Sequence, residues 1–199
     1  MVPPRRHGGY DVVVMGASAG GFRAFTAILE ALPADFPLPI LLVQHLHAED
    51  AGGFARHLAS VSRMPVVEPD DKETIRPGWV HVAPAGYHML VEHAGTIALS
   101  VDEKVNWSRP SIDVLFESAA EIWGDRVFAA ILSGASNDGS AGILALKRAG
   151  ALTIAQHPAE AEHSLMPQAA IDTGAVDEIL TIDEIIARLI GMSACAEHQ

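Results

Sequence analysis

The sequence predicts an α/β fold: a doubly wound, mostly parallel sheet with helices on both faces and a small antiparallel hairpin addition. Two observations indicate the main sheet. Short apolar segments of strand length alternate along the chain with amphipathic segments of helical period, and turn residues separate them. A third observation indicates the hairpin, because residues 69–100 place polar/apolar alternation between turn signals such as Pro77-Gly78.

The predicted elements follow in chain order. Strands of the main sheet are expected at 12–15, 40–44, 65–67, 127–132, 152–155 and 176–179. Helices are expected at 22–32, 51–61, 111–123, 140–148, 167–172 and 183–190. The antiparallel addition is expected to contain residues 79–83, 87–92 and 96–99.

The length of 199 residues suits one domain with a sizeable core. We expect a polar lead-in at 1–10, a single domain at 11–191 and a tail at 192–199. Hydrophobic residues make up 49% of the chain, which excludes a disordered protein. A signal-peptide hydrophobic region and a bilayer-length apolar run are both missing from the sequence, so a cytoplasmic protein without direct membrane insertion is expected.

The net charge and the residues that could bind a metal exclude further classes of function. The net charge of −12, without a long basic cluster, argues against nucleic acid as a partner. The single cysteine, Cys195, excludes an internal disulfide and a cysteine metal cluster. His45-x-His47 has no second carboxylate–histidine cluster to accompany it, so no metal and no cofactor are predicted.

The segment from Asp11 to Phe22 carries the most chemical information. Its apolar run ends at Gly16, and Gly16-Ala-Ser-Ala-Gly20 fits the G-x-S-x-G turn that holds a serine nucleophile between a strand and a helix. A phosphate-binding loop is the competing interpretation. However, Ser18 replaces the middle glycine of G-x-G-x-x-G, and Gln44-His45 stands where a ribose-binding acid is expected.

Two further polar residues are predicted to meet Ser18. His45 follows the second strand, and Asp138 lies in the loop after the strand at 127–132. Because ligands bind at the carboxyl ends of parallel strands, all three are expected at one sheet edge. Serine needs a histidine to take its proton and the histidine needs a carboxylate, so Ser18, His45 and Asp138 are the candidate catalytic residues.

Each of these residues also has a simpler interpretation. The alternative for Ser18 is a helix N-cap, and for Asp138 before Gly139 a cap or turn residue. The alternative for His45 is a histidine satisfied at the end of a strand. The joint occurrence at three strand ends favours catalysis.

Several motifs together resemble the CheB-type protein-glutamate methylesterase domain of bacterial chemotaxis. They are Val14–Gly21, Val43–Leu46, Val82–Met89, Arg109–Asp113, Leu132–Gly139, Ala155-Gln156 and Met166-Pro167. The resemblance runs in family order from about residue 11 to 190. It implies a cofactor-free serine esterase that removes methyl groups from chemoreceptor glutamates and deamidates receptor glutamines, with Ser18, His45 and Asp138 as its triad.

The resemblance also implies partners and further site residues. The substrate would be the cytoplasmic helices of a methyl-accepting chemoreceptor. Backbone amides near Ala19 and Ala135 would stabilise the oxyanion, and Arg109 would contact acidic receptor surface or pair with a local carboxylate. The receiver domain usual in the family is expected to be absent from this chain, which leaves regulation to a separate chain or none.

Three departures from the family pattern keep alternatives open. Ala135 stands where the family has methionine, Trp107-Ser108 replaces a common basic pair, and Ala19 replaces a common threonine. The rival hypotheses are therefore an inactive signalling module of the same fold, a dinucleotide-binding protein and a general small-ester hydrolase.

Overall fold

The structure, a computed structural model, describes residues 9–47 and 49–194. Its strands are β1 (Val12–Ala17), β2 (Ile40–Gln44), β3 (Val66–Val67), β4 (Val80–Val82), β5 (His88–Val91), β6 (Ile97–Ser100), β7 (Val127–Ile131), β8 (Leu152–Gln156) and β9 (Glu178–Leu180). Its α-helices are α1 (Gly21–Ala31), α2 (Gly53–Val61), α3 (Ile112–Trp123), α4 (Ser140–Arg148), α5 (Leu165–Asp172) and α6 (Ile182–Ala194).

Only part of the predicted lead-in and of the predicted tail lies within the described residues. Most of the expected lead-in, residues 1–8, and Cys195 in the expected tail lie outside the described residues. Helix α6 continues to Ala194, and the side chain of Met192 is buried in the core. The first residues of the expected tail are therefore helical.

Seven strands form one sheet in the order β3-β4-β2-β1-β7-β8-β9, and every neighbouring pair in it is parallel. Strands β5 and β6 form a separate antiparallel pair. The predicted fold class is confirmed.

The sequence pattern predicts the wrong sheet for one strand. Residues 79–83 were expected in the antiparallel addition, but β4 lies in the parallel sheet between β3 and β2. His81 gives the segment its alternating appearance, yet it is fully buried like Val80 and Val82 on either side. Burial on both faces is the property of an interior parallel strand, and a single polar residue hid it.

Alternate side chains of β1 supply two separate cores. Val13 and Met15 pack in a cluster with residues of α1, α2 and α6. Val12 and Val14 pack in a second cluster with residues of α3, α4, α5 and the β5–β6 hairpin. The sheet is therefore covered on both faces, which explains why its strands are nearly continuous apolar runs.

The winding direction of the sheet reverses between β1 and β7. From β1 the chain moves outward to β2 through α1, whereas from β7 it moves the opposite way through β8 to β9. The loops that follow β1 and β7 diverge at this point and leave a crevice at the carboxyl edge, where open α/β sheets bind ligands. Among the described residues, the helices are all too short or too polar to span a bilayer.

Candidate active site

Strand register places the three predicted residues at neighbouring strand ends. Ala17 pairs with Gln44, so Ser18 and His45 directly follow the last paired positions of β1 and β2. The His45 N–H donates to Ala17 O at 3.0 Å, and the Ser18 N–H donates to Ser133 O at 2.9 Å. Adjacent strands lie roughly 4.8 Å apart, so these backbones are fixed side by side.

The turn from β1 into α1 depends on glycine at two positions. Gly20 has a φ of +81°, in the left-handed region that glycine adopts without strain. A Cβ on Gly21 would lie 2.2 Å from Gln44 Oε1 and 2.4 Å from Ala17 Cβ. Without that Cβ, the Gln44 side chain fits beneath the turn and donates from Nε2 to Ser18 O at 2.8 Å. The predicted sharp turn is present, with the left-handed backbone at Gly20.

Gly16 brings helix α3 onto the end of β1. A Cβ at this position would lie 2.4 Å from Ile112 Cγ2, so only glycine leaves room for the first residue of α3. The helix N-terminus thereby lies beside the strand end. Its free backbone N–H groups and positive dipole end form a favourable environment for an anion.

Asp138 occupies this helix N-terminus and also contacts the predicted base. Its Oδ2 accepts from the Ile112 N–H at 2.7 Å and lies 2.7 Å from His45 Nε2. Its Oδ1 accepts from Ser111 Oγ at 2.8 Å, from Asn106 Nδ2 at 3.1 Å and from the Asp113 N–H at 3.3 Å. The Asp138 side chain has 0% exposure and that of His45 has 12%, so the pair is shielded from water.

These donors decide the protonation state of Asp138. Burial by itself would raise the pKa of Asp138, but the hydrogen bonds from His45, Ile112, Asn106 and Ser111 outweigh it and lower the pKa to about 2. Since the carboxylate only accepts, His45 Nε2 must carry the proton of this hydrogen bond. The lone pair that can take a proton is then on Nδ1.

A second buried carboxyl group lies next to Asp138. Burial raises the pKa of Asp113 to about 6, the Gly142 N–H acts against this, and the charge of Asp138 adds to the rise. The Asn106 side chain joins the two groups, because its Nδ2 also donates to Asp113 Oδ2 at 2.8 Å. Two neighbouring carboxyls whose pKa values are pushed apart are typical of a functional site.

A short turn that the sequence does not predict contacts His45. Ser108 Oγ lies 3.2 Å from His45 Nδ1, the nitrogen with the free lone pair. Val105 and Ser108 close the turn with reciprocal backbone hydrogen bonds of 2.9 and 3.2 Å. The two residues between them have positive φ, +48° at Asn106 and +65° at Trp107. Asparagine at the first of these positions is the one sequence signal of such a turn.

The hydroxyl of Ser18 differs from the other polar groups of the site. Within the described part of the chain it makes no hydrogen bond, although the backbone of Ser18 is held on both sides. The His45 ring, by comparison, has partners at both nitrogens. In the structure the His45 base is therefore paired with Ser108, and the Ser18 hydroxyl is not committed to it.

The loop after β7 is held by two serines. Ser133 Oγ donates to Ala19 O at 2.8 Å and accepts from the His163 N–H at 2.9 Å, which ties this loop to the β1–α1 turn. Ser136 Oγ accepts from the Asp138 N–H at 2.9 Å. The Ser136 side chain thus turns inward and positions the backbone of Asp138.

The two predicted oxyanion positions lie on these loops. The backbone N–H groups of Ala19 and Ala135 have no hydrogen-bond acceptor in the part of the chain that the structure describes. Unpaired amides at the start of a helix and on an adjoining loop are the groups from which oxyanion holes are built.

Arg109 lies near the site but binds the protein itself. Its Nη1 donates to Val101 O at 2.6 Å and to Asp102 O at 2.8 Å. Of the two alternatives for Arg109, pairing with a local carboxylate is not among the contacts of the described residues, whereas backbone carbonyls of the loop after β6 accept from the guanidinium. We assign Arg109 the task of holding that loop.

Ser18 does not cap α1, and Asp138 does not cap α4, the helix that follows it, but binds the N-terminus of α3 instead. Helix α1 has Gly20 as its N-cap and α4 has Gly139, and neither cap involves a side chain. His45 contacts a carboxylate rather than a neutral strand-end partner. Among the described residues, groups of three or more histidine, cysteine or acidic side chains in a metal-binding arrangement are not found.

Comparisons with known proteins show the family and the fold of this chain. The model of the family "CheB methylesterase" matches residues 13–189. The chain belongs to this family. The crystal structure of the Thermotoga maritima CheB methylesterase catalytic domain superposes with a TM-score of 0.87 at 34% identity, covering 91% of this chain and 97% of that one.

Two relatives of the CheB methylesterase family differ in length. A Leptospira interrogans protein, named as a candidate protein-glutamate methylesterase/protein-glutamine glutaminase, is 43% identical over 88% of this chain and 91% of its own length. The Bordetella parapertussis protein-glutamate methylesterase/protein-glutamine glutaminase is also 43% identical, over 90% of this chain and 52% of its own length. The chain thus matches nearly all of the first protein and about half of the second.

Proposed function

We propose that this CheB methylesterase hydrolyses glutamate methyl esters on chemoreceptors and deamidates receptor glutamines, acting in the cytoplasm. The observation that carries the proposal is the His45–Asp138 contact of 2.7 Å beside the Ser18 turn. A shielded carboxylate–histidine pair at a switch point, next to a serine with free backbone amides, supports acyl transfer better than phosphate binding.

The reaction would begin when substrate brings the ester carbonyl to Ser18 Oγ. As Oγ bonds to the carbonyl carbon, His45 Nδ1 takes the serine proton, and Asp138 stabilises the resulting imidazolium through Nε2. This step requires the Ser18 hydroxyl to replace Ser108 at Nδ1, which the unbonded Ser18 side chain is free to do.

The backbone N–H groups of Ala19 and Ala135 would stabilise the oxyanion. The tetrahedral intermediate collapses when the bond to the methoxy oxygen breaks, and His45 returns the proton so that methanol leaves. Water then attacks the acyl-enzyme with His45 again as base, releasing the glutamate carboxylate and the free serine. For a glutamine substrate the same steps release ammonia.

The replacement of the family's methionine by Ala135 does not remove the donor that the proposal needs. The oxyanion contact would come from the backbone N–H, which any residue except proline supplies at that position. The side chain would instead shape the pocket beside it. A separate regulatory chain remains part of the proposal, without a structural contact to define it.

The test is methanol release from a methylated chemoreceptor cytoplasmic fragment, with the unmethylated fragment as control. The proposal expects release by the wild-type chain, and no release would overturn it. Labelling by a fluorophosphonate addresses the rival inactive module, because an active serine reacts and an inactive one does not. Efficient cleavage of nitrophenyl esters with no release from receptor would instead favour a general small-ester hydrolase.

A further inference from the structure

Trp107 is the most exposed large hydrophobic residue in the described structure. Its side chain is 94% exposed, against 65% for Val101 and 57% for Leu165, the next two. Exposing an indole to water forgoes the stabilisation that burial of a large aromatic side chain provides.

The backbone at Trp107 carries a second cost. Its φ of +65° lies in the left-handed region, where a bulky side chain is rarely found. Two-residue turns of this kind prefer glycine after asparagine, and here tryptophan follows Asn106. The folded chain thus keeps an exposed and strained tryptophan where glycine would relieve both costs. Strain of this kind is concentrated at functional sites.

The position of Trp107 connects it to the candidate active site. Asn106, before it, donates to Asp138 at 3.1 Å and to Asp113 at 2.8 Å. Ser108, after it, lies 3.2 Å from His45 Nδ1. Both neighbours are therefore anchored on residues of the candidate active site, so the backbone of Trp107 is held beside that site.

Other exposed apolar residues share this edge of the molecule. Phe22 is in the first turn of α1, Tyr87 follows β4, Val101 follows β6 and Leu165 opens α5, all at the carboxyl edge of the parallel sheet. Only Ile179 and Ile190, among the exposed large hydrophobics described, lie elsewhere. A small-molecule ester would not need such a wide apolar rim, whereas a protein substrate would contact it.

We propose that Trp107 is a substrate-binding residue that selects protein substrates carrying an apolar side chain beside the glutamyl ester. This proposal rests on the proposed function and adds a determinant of substrate choice to it. Docking would bury the indole, and aromatic anchors of this kind dominate protein recognition. The tripeptide Asn106-Trp107-Ser108 would then join substrate recognition to the residues that hold His45 and Asp138.

The test compares W107A, W107G and W107F with the wild type and with a matched control, I179T, an exposed apolar residue on the edge strand β9. We expect W107A to lower kcat/KM for the methylated receptor fragment at least tenfold, mainly through KM. The W107G chain should lose as much although glycine suits the turn, and W107F should recover most of it. Fluorophosphonate labelling, which needs no docking, should stay within about twofold of wild type, and I179T should match wild type in both assays.

Two results would overturn the proposal. One is an unchanged kcat/KM in W107A; the other is an equal loss of labelling and receptor turnover, which would mean that Trp107 acts through the turn and not through substrate. Binding of the receptor fragment to an S18A chain, with and without W107A, measures docking without turnover. Absence of methanol release by wild type counts against the proposed function, whereas S18A binding that W107A does not weaken counts against the role of Trp107 alone.

Discussion

Asp138 and Ser18 lie at the ends of adjacent parallel strands, yet their surroundings are opposite. The Asp138 carboxylate is fully buried and takes hydrogen bonds from two backbone N–H groups and three side chains, those of His45, Asn106 and Ser111. The Ser18 hydroxyl is bonded to nothing in the described part of the chain, while its backbone is held by Gln44 and Ser133.

This difference indicates separate tasks for the His45–Asp138 pair and for Ser18 in the proposed reaction. The carboxylate and the imidazole are fixed in advance, so no reorganisation is needed when charge develops on His45. The Ser18 hydroxyl oxygen stays free to turn toward substrate. Until it turns, Ser108 Oγ is the partner of His45 Nδ1. We call Asp138 with the groups that contact it the crowded half of the site, and the Ser18 hydroxyl the open half. The two halves should therefore respond differently to substitution.

Within the crowded half, the largest effect is expected from Asp138→Asn. Asparagine keeps the shape but turns an amide donor toward the protonated Nε2, so His45 takes the wrong tautomer and kcat should fall on the order of 10⁴-fold. Methanol release from methylated receptor measures this. The control is Asp177→Asn, which removes a carboxylate paired with Lys147 outside the site and should leave kcat unchanged. Retention of a tenth of the activity by D138N would contradict the assignment.

The second prediction concerns the other carboxyl of the crowded half. The pKa of Asp113 is raised from its ordinary value of 3.8 to about 6, so between these values the folded chain holds a proton that the unfolded chain has lost. The contribution of Asp113 to the free energy of unfolding should therefore decrease as pH rises from about 4 to about 6, and should not change further above about pH 6.

Chemical denaturation across this pH range, for wild type and Asp113→Asn, checks the sign. The variant cannot titrate at this position, so the difference between the two curves should change over the window and be constant above it. If the two curves of unfolding free energy against pH are parallel over the whole range, Asp113 titrates at its ordinary pKa and the prediction is wrong.

The smallest effect is expected from Ser136→Ala. This change removes the hydroxyl that accepts from the Asp138 N–H, and a hydrogen bond of this kind contributes about 0.5–1.5 kcal/mol. Stability should fall by no more than that, and turnover should stay within a few-fold, because the other partners of Asp138 remain. A hundredfold loss of turnover would place Ser136 among the residues on which the reaction depends.

The sequence predicted the half of the site that strand ends determine. Ser18, His45 and Asp138 follow apolar strands, and the parallel arrangement brings such positions to one edge. The turn at Asn106–Ser108 follows no strand of the main sheet and has no periodicity, so its contacts with His45 and Asp138 could not be predicted.

Two other features needed the three-dimensional contacts. Ser111 is the N-cap of α3, and its Oγ accepts from the Val114 N–H at 3.5 Å. A serine at the start of a helix is a recognisable signal of this role, but the second bond of Ser111, to Asp138, depends on α3 packing against Gly16. Strand β4 was misplaced because His81 is polar and buried. In both cases the deciding contact joins segments far apart in the chain.

The central claim is that Ser18 is the nucleophile although Ser108 is the serine that contacts the base. Methanol release from methylated receptor by S18A and S108A, compared side by side with thermal unfolding as a check on folding, tests it most directly. The account predicts that S18A loses methanol release on the order of 10⁶-fold while S108A stays within about tenfold of wild type. Retained release by S18A together with its loss in S108A would contradict the account.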